Sequence, residues 1–329
     1  MENKTQNNPA VNSIKGKGTL KASNIFKKQE FLLVILMILI GIMVAIVNPL
    51  FLSLQNFFNI VLSVSITGIA TIGLAMVLIT GEFDLTTGSL MSVQCVLFAI
   101  LTTKFGAATG IILTLLIGLA LGAFNGLLVT RIKAHSFIIT LALLSAYAGV
   151  ALVLSNGEWV SMKGTFTLFK GKLFGIIPYP TIVFIVVLVI TAFVFRYLRF
   201  GRLLFAIGGN VQAAYLSGIK VKNYKILVFT IAGFLYSIAS IVLVSMLGTA
   251  LPTTGDPYLL EAFAAAVVGG VVMGGGKGSA AGIFLGVIVF GLINNALVIM
   301  NVDPFWRDVV VGGIILAAVA ISGYGESKE

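Results

Sequence analysis

The sequence has 329 residues, of which 59% are hydrophobic and only 10% are charged. Soluble domains average about 25% charged residues, so this chain has too little polar surface to cover a water-soluble body, and its solvent must be largely lipid. The net charge of +10 would suggest nucleic acid as a partner of a soluble protein. In a membrane protein it reflects lysine and arginine in cytoplasmic loops, and we expect no nucleic-acid partner.

Ten long apolar segments predict an all-α polytopic membrane protein, because a helix needs about 20 apolar residues to cross about 30 Å of hydrocarbon. The segments are continuous rather than alternating, which argues against a β-barrel. Some are short or interrupted by glycine and could be half-helices. In chain order they cover residues 31–47, 57–80, 85–103, 107–130, 136–155, 179–197, 226–248, 258–273, 279–300 and 305–323.

Positive charges predict the orientation in a bacterial plasma membrane. Lysines before the first span and the basic loop 198–225 place both on the cytoplasmic side, and ten spans return the C-terminus to that side. Residues 1–30 are polar and Lys-rich, so we expect a flexible cytoplasmic tail rather than a signal peptide. Residues 324–329 form a second tail, and 31–323 the transmembrane domain.

Two pairs of similar segments predict an internal repeat. GAFNGLLV (122–129) resembles GLINNALV (291–298), and LTTG (85–88) resembles PTTG (252–255) at nearly the same offset. The copies lie five spans apart, which inverts their topology, and inverted repeats are a transporter architecture. The predicted repeats cover residues 31–155 and 179–323.

Glycines are the most regular feature within the spans. They recur at every fourth position in two sets, which places hydrogen atoms along one helix face and lets neighbouring backbones approach closely. The two sets are Gly118, Gly122 and Gly126, and Gly278, Gly282 and Gly286.

The glycine-rich stretch GGVVMGGGKGSAAG (269–282) resembles a phosphate-binding loop but does not fit its pattern. With Lys277 in the lysine position, Val271 stands where the first glycine is needed and Gly278 where the hydroxyl is needed. We interpret the stretch as a cytoplasmic turn between the eighth and ninth spans. No histidine and acidic residues cluster in the sequence, so we predict no catalytic site, no metal site and no cofactor bound by this chain.

The ionisable and reactive residues near the spans have competing interpretations. Glu82 and Asp84 stand at a span end, where acids near hydrocarbon are often functional or cap the following helix. Asp256 and Glu261 are expected at the outer mouth. His135 is expected at the cytoplasmic edge in a structural role, and the single cysteine is interpreted as packing.

The basic loop contains the stretch FGRLLFAIGGNVQAAYLSGIKVKNYKI (200–226). Asn210 can cap a short helix there and Gly218 can end it. An amphipathic helix flanked by basic residues could lie on anionic lipid or dock a soluble partner, and these residues alone leave both open.

This loop resembles the cytoplasmic coupling region of the permeases of ribose-type sugar ABC importers. GEFDLTTGSL (81–90) is similar to the family signature G-x-x-D-L-S-x-G-S, with Thr86 in place of serine. The stretches 247–282 and 290–319 resemble the region after the seventh span and the C-terminal end. The resemblance therefore extends over about residues 31 to 323.

The resemblance implies a transmembrane permease subunit with about ten helices, similar to the vitamin B12 importer. It implies as partners a cytoplasmic ATPase that holds ATP and Mg²⁺, an extracytoplasmic solute-binding protein and a second permease, identical or paralogous. The chain would not itself be an enzyme. The implied ATPase-coupling residues are Gly208, Gly209, Asn210, Ala213, Ala214, Leu216, Ser217 and Gly218. The implied signature residues are Gly81, Glu82, Asp84, Gly88 and Ser89.

A pathway lined by hydroxyls and amides would suit a sugar or similar neutral solute. The solute would cross by alternating access, between two permeases. The alternative function is an ion-gradient-driven secondary transporter of small polar solutes, which would need an acidic residue in mid-span, and no acid clearly occupies one in the sequence. The candidate pathway residues, each of which could instead join helix to helix, are Thr67, Thr71, Asn125, Ser145, Asn294 and Asn295.

Overall fold

A computed structural model describes residues 18–326 of the chain, with side-chain surroundings for 30–303, 305–317 and 320. These residues contain twelve α-helices. The helices are α1 (Gly18–Val47), α2 (Leu54–Ile79), α3 (Thr87–Phe105), α4 (Ala107–Arg131), α5 (Ser136–Ser155), α6 (Tyr179–Tyr197), α7 (Arg199–Gly209), α8 (Val211–Leu216), α9 (Val221–Leu247), α10 (Pro257–Val268), α11 (Ala280–Ile299) and α12 (Pro304–Glu326).

Short strands and two 3₁₀ helices complete the described structure. β1 (Val160–Ser161) pairs antiparallel with β4 (Thr249–Ala250), and β2 (Lys172–Leu173) with β3 (Ile177–Pro178). The 3₁₀ helices are Pro49–Leu52 and Leu168–Lys170. The β1–β4 pair ties the loop after α5 to the loop after α9.

Eight of the described helices, α1 to α6, α9 and α11, are long and apolar enough to cross a membrane. α10 is apolar but has only 12 residues. Large apolar side chains on α4, α5 and α6, such as Ile112, Val153 and Val189, are exposed, as expected of helices that face lipid. The prediction of an all-helical polytopic membrane protein is confirmed.

α2 lies at the centre of the bundle. Every residue from Val64 to Ile79 is buried, and the helix packs against α6, α9, α10 and α11. A helix that is apolar all round its circumference belongs inside a bundle, and α2 fits that description. α9 is its main partner and is buried over much of its length.

The ends of three elements differ from the sequence prediction. α1 begins at Gly18, inside the predicted tail, because no proline or glycine interrupts residues 19–40. α12 continues to Glu326, past the predicted end at 323. α10 stops at Val268, five residues early, because Gly269 and then Gly270 (φ +84°) end the helix. Residues 1–17 and 327–329 of the predicted tails lie outside the described residues.

The regular glycines provide the close helix packing that their spacing predicts. A Cβ atom at Gly122 would lie 2.3 Å from the carbonyl oxygen of Phe229, so α4 and α9 are in backbone contact there. Gly286 faces the carbonyl oxygen of Ala265 at 2.2 Å in the same way. Gly278 does not belong to the second set, because it precedes α11 and lies in the turn.

Candidate functional site

The signature loop between α2 and α3 is organised around the buried carboxylate of Asp84, which is 2% exposed. One carboxylate oxygen accepts hydrogen bonds from the backbone N–H and the hydroxyl of Thr86, and the other accepts one from the hydroxyl of Tyr236 at 3.1 Å. Burial raises the pKa of Asp84, and the hydrogen bonds from Thr86 and Tyr236 lower it in part. The carboxylate therefore orders the loop rather than facing solvent.

Two further side chains extend this network to α4 and α5. The amide of Asn125 donates to the Thr86 hydroxyl oxygen at 2.9 Å, and the hydroxyl of Tyr147 donates to the Asn125 oxygen. Thr86, which stands where the family signature has serine, therefore uses its hydroxyl both as donor and as acceptor. Asn125, predicted as a pathway residue, lies inside this buried network instead.

Glu82 has a different environment from Asp84. It forms an ion pair with Lys225, and the two side chains are only 15% and 14% exposed. Lys225 lies in the second turn of α9, immediately after the segment that contains α7 and α8. The neighbouring N–H of Phe83 donates to the hydroxyl of Ser136 at 3.0 Å, so the loop is held from α9 and from α5.

His135 has a structural role, as expected. Its Nδ1 accepts a hydrogen bond from the N–H of Phe137, which caps the start of α5. Its ring also lies 5.9 Å from that of Phe83, so it helps to hold the signature loop.

The remaining signature residues bring the two similar tetrapeptides into contact. A Cβ at Gly255 would lie 2.4 Å from the carbonyl oxygen of Gly88. The hydroxyl of Ser92 accepts from the N–H of Gly255 and donates to the carboxylate of Asp256, both at 2.9 Å. LTTG and PTTG thus meet backbone to backbone. The hydroxyl of Ser89 donates to the carbonyl oxygen of Thr86.

The predicted coupling segment consists of α7 and α8. The Asn210 side chain accepts from the N–H of Ala213 at 2.9 Å, and Gly218 follows α8 with φ +79°, so both predicted caps are confirmed. Tyr215 and Leu216 are 69% and 78% exposed. An exposed apolar tip on a capped helix suits a protein partner.

The other residues assigned to coupling have unequal surroundings. Gly208 and Gly209 belong to the end of α7 rather than to α8. Ala214 is buried against Ile207 and Val221. The hydroxyl of Ser217 donates to the carbonyl oxygen of Ala213 at 2.8 Å, which closes the last turn of α8.

Beneath α7, three backbone segments meet at glycines. The N–H of Gly276 donates to the carbonyl oxygen of Ile79 at 2.8 Å, and a Cβ at Gly208 would lie 1.7 Å from the same oxygen. Gly275, with φ +86°, packs against the backbone of Gly81 and of Gly208. We call this contact of residues 79–81, 208–209 and 274–276 the glycine junction. The glycine-rich stretch is therefore a turn, as predicted, and its close contacts leave no room for a side chain at Gly275 or Gly276.

Three of the predicted pathway residues lie together around Glu261. The Thr67 hydroxyl donates to one carboxylate oxygen at 2.9 Å and the Asn294 amide to the other at 3.1 Å. Thr71, one turn along α2, donates to the carbonyl oxygen of Thr67. Glu261, expected at the outer mouth, lies in α10, where side chains of α2 and α11 donate hydrogen bonds to both of its carboxylate oxygens. Its depth in the membrane stays a prediction.

Ser145 is separate from these residues. It is exposed on α5, a helix whose outer face carries apolar side chains. The structure does not bring it together with Glu261 or with Asn125.

At the other end of α2 from the glycine junction lies a cavity of about 580 Å³. Asn295, the last predicted pathway residue, exchanges amide hydrogen bonds with Asn56 at its wall, at 2.7 and 2.9 Å. We call it the asparagine cavity, and none of the described residues that line it is charged. Its lining is Asn48, Leu50, Asn56, Asn59, Ser63, Asn294, Asn295, Val298, Ile299 and Asn301.

Sequence reasoning missed most of this lining because the asparagines come from three separate segments. One signal was available. Asn56, Asn59, Ser63, Thr67 and Thr71 follow one another at steps of three or four residues, which places them on one face of α2.

The comparisons with known proteins agree with this architecture. Residues 56–319 match the family model described as "Branched-chain amino acid transport system / permease component". The chain is 38% identical over 284 residues to the ribose import permease protein RbsC of Bacillus subtilis (strain 168), covering 85% of this chain and 88% of that protein. The chain belongs to the permease family of ribose-type sugar ABC importers.

Other relatives extend the range of sugars in the family. The permease is 34% identical over 295 residues to RbsC of Escherichia coli (strain K12), covering 88% of this chain and 92% of that protein. It is 33% identical over 284 residues to the L-arabinose ABC transporter permease protein AraH of Azospirillum brasilense, covering 85% and 84%. No solved structure matches the permease significantly.

Proposed function

We propose that this chain is the transmembrane subunit of an importer that moves a sugar or sugar-like solute into the cytoplasm, driven by a partner ATPase. The observation that carries the proposal is α8, a short capped helix with an exposed apolar tip, in a chain of the sugar permease family. ATP and Mg²⁺ would be held by the ATPase. A solute-binding protein and a second permease copy, identical or paralogous, would complete the assembly.

We propose ten spans arranged as two inverted repeats of five, as in the vitamin B12 importer. Helix contacts support this, because equivalent helices of the two repeats have equivalent partners. α4 packs on α9 as α11 packs on α2, and α3 packs on α4 as α10 packs on α11. The contact of LTTG with PTTG lies where the two repeats meet. The repeats would be residues 31–155 and 179–323 of a transmembrane domain 31–323.

We place the N-terminus, α7 and α8 in the cytoplasm from the positive charges of those segments, and ten spans return the C-terminus to the same side. α2 has 26 residues and spans about 39 Å at about 1.5 Å per residue. The asparagine cavity, at its other end, then lies on the extracytoplasmic side, where the solute-binding protein would deliver the solute.

Coupling would use two contacts that join α7 and α9 to the core. The glycine junction connects the end of α7 to the end of α2, and the Lys225–Glu82 ion pair connects the start of α9 to the signature loop. A movement of α8 caused by ATP binding would therefore reach α2 and α3 through backbone contact and a partly buried charge pair. Packed interfaces of this kind shift between discrete arrangements rather than deforming gradually.

Glu261 is the one observation that favours the alternative of an ion-gradient-driven transporter, because acids inside membrane helices often bind protons or ions. Both of its oxygens accept hydrogen bonds from neutral side chains. The importer is preferred because of the family and because of α8, which a secondary transporter does not need.

The experiment is uptake by proteoliposomes that contain the permease with its ATPase and solute-binding protein. Leu216→Glu places a charge on the exposed tip of α8 and should abolish ATP-dependent uptake while the protein still folds. Gly209→Glu, at an open position of α7, tests the neighbouring surface. Ala214 is unsuitable because it is buried, so a change there would unfold α8. Uptake by the Leu216→Glu assembly equal to that of the unchanged one would remove the coupling assignment.

A further inference from the structure

The asparagine cavity has the chemistry of a carbohydrate site. Each amide side chain offers both donors and an acceptor, and a sugar hydroxyl likewise donates and accepts. Six of the ten lining residues are asparagine, and none is charged. The volume of about 580 Å³ lies within the range of about 300–1,000 Å³ usual for small-molecule sites.

Five of the six asparagines fall into two groups with different roles. Asn56 and Asn295 hydrogen-bond to each other, and Asn48 donates to the carbonyl oxygen of Ile299 at 3.0 Å, so these three join helix ends. Asn59 and Asn301 are exposed to the cavity. Asn59 accepts only a long 3.4 Å contact from Gln55 of its own helix. The second group is available to a ligand.

Beyond the cavity lining, the polar face of α2 continues into the protein. Ser63, in the lining, is followed one turn later by Thr67, which is 4% exposed, and then by Thr71, which is fully buried. Beyond the lining, Glu261 bridges Thr67 of α2 to Asn294 of α11. Asn294 belongs both to the cavity lining and to this bridge. A carboxylate held by two neutral donors therefore lies behind the lining residue Asn294.

We infer that the asparagine cavity is a binding site for a neutral polyhydroxylated solute, which enters from the extracytoplasmic side, and that Asn294 links its occupancy to the Glu261 bridge behind it. The inference rests on the proposed import function for its biological meaning. A solute hydroxyl that reaches Asn294 competes for the donor that holds Glu261. Solute binding and release of the Glu261 bridge are thereby linked through one amide.

Thiol protection tests the site without requiring transport. The only native cysteine, Cys95, is fully buried, so Val298→Cys introduces the accessible thiol into the cavity while every amide is kept. The purified permease is labelled with a maleimide in the presence of ribose, xylose, arabinose or ribitol. Ser161→Cys, an exposed serine of β1 outside the lining, is the matched control.

The site predicts that at least one of these solutes slows labelling of Val298→Cys but not of Ser161→Cys. A concentration about ten times the Kd leaves about one-tenth of sites free, so the rate falls about tenfold. Adding Asn59→Leu to Val298→Cys should abolish the protection, with a thermal unfolding curve recorded to confirm folding. Two results would overturn the inference. One is a labelling rate that is equal with and without each solute at 100-fold excess over the maleimide. The other is protection that survives Asn59→Leu.

The result is separate from the proposed function. Protection without ATP-dependent uptake in the reconstituted assembly would keep the site and reject the importer. ATP-dependent uptake without protection would keep the importer and reject this site.

Discussion

A methyl group at Gly208 tests the glycine junction directly. Gly208 and Gly209 are adjacent at the end of α7, but only at Gly208 would an added side chain meet other atoms. The Cβ of Gly208→Ala would lie 1.7 Å from the carbonyl oxygen of Ile79 and 2.4 Å from the backbone nitrogen of Gly276. The Cβ of Gly209→Ala has no atom within 4 Å. The two substitutions are chemically identical and differ only in what they meet.

The expected difference follows from these distances. Both substitutions should raise the free energy of unfolding by up to about 1 kcal/mol, because alanine has a higher helix propensity than glycine. Gly208→Ala must also push α7 away from α2, because its neighbours are backbone atoms that cannot rotate aside, and such overpacking costs about 1–3 kcal/mol or more. Gly209→Ala should therefore be neutral or slightly stabilising, and Gly208→Ala destabilising by comparison.

The assay is the thermal unfolding midpoint of each purified variant in detergent, followed by uptake in proteoliposomes with the partner ATPase. We expect the Gly208→Ala midpoint to fall by several degrees and its ATP-dependent uptake to fall with it, while Gly209→Ala matches the unchanged permease in both. Equal midpoints and equal uptake for the two variants would refute the close backbone contact between α7, α2 and the glycine turn.

Two further substitution sets follow from partly buried contacts. Lys225→Glu places two acids together and should reduce coupled uptake, whereas the exchange Glu82→Lys with Lys225→Glu should recover most of that uptake. A double-mutant cycle of unfolding free energies should give a coupling energy of about 1–3 kcal/mol. Uptake by the exchanged variant no better than by Lys225→Glu alone would contradict the ion pair. Gly122→Ala should lower the unfolding midpoint because its Cβ would lie 2.3 Å from the Phe229 oxygen, whereas Gly149→Ala on α5 meets nothing within 4 Å and should not. Equal midpoints for these two would contradict the contact between α4 and α9.

Local features of the sequence predicted local features of the structure well. The apolar runs gave the positions of the long helices, because burial in lipid depends on composition over about 20 residues and not on distant contacts. Asn210 and Gly218 bound α8 as predicted, because caps depend on residues only a few positions away. The glycine turn at 274–278 follows from the same local reasoning.

The candidate sites required contacts that a single sequence does not reveal. The hydrogen-bond partners of Glu261 could not be predicted, because they come from α2 and α11, which pack against α10 from distant parts of the chain. The Asp84 network draws on residues as distant as Tyr236, and the partner of Glu82 lies 143 positions away at Lys225. Short-range patterns carry no information about such pairs.

The most direct test of the account is solute uptake by the reconstituted permease under two energy sources. The account predicts uptake of a sugar only when the ATPase, the solute-binding protein and ATP are all present, with no uptake driven by a proton or sodium gradient across liposomes that contain the permease alone. Gradient-driven uptake by the permease without an ATPase would contradict it and would assign Glu261 to ion coupling.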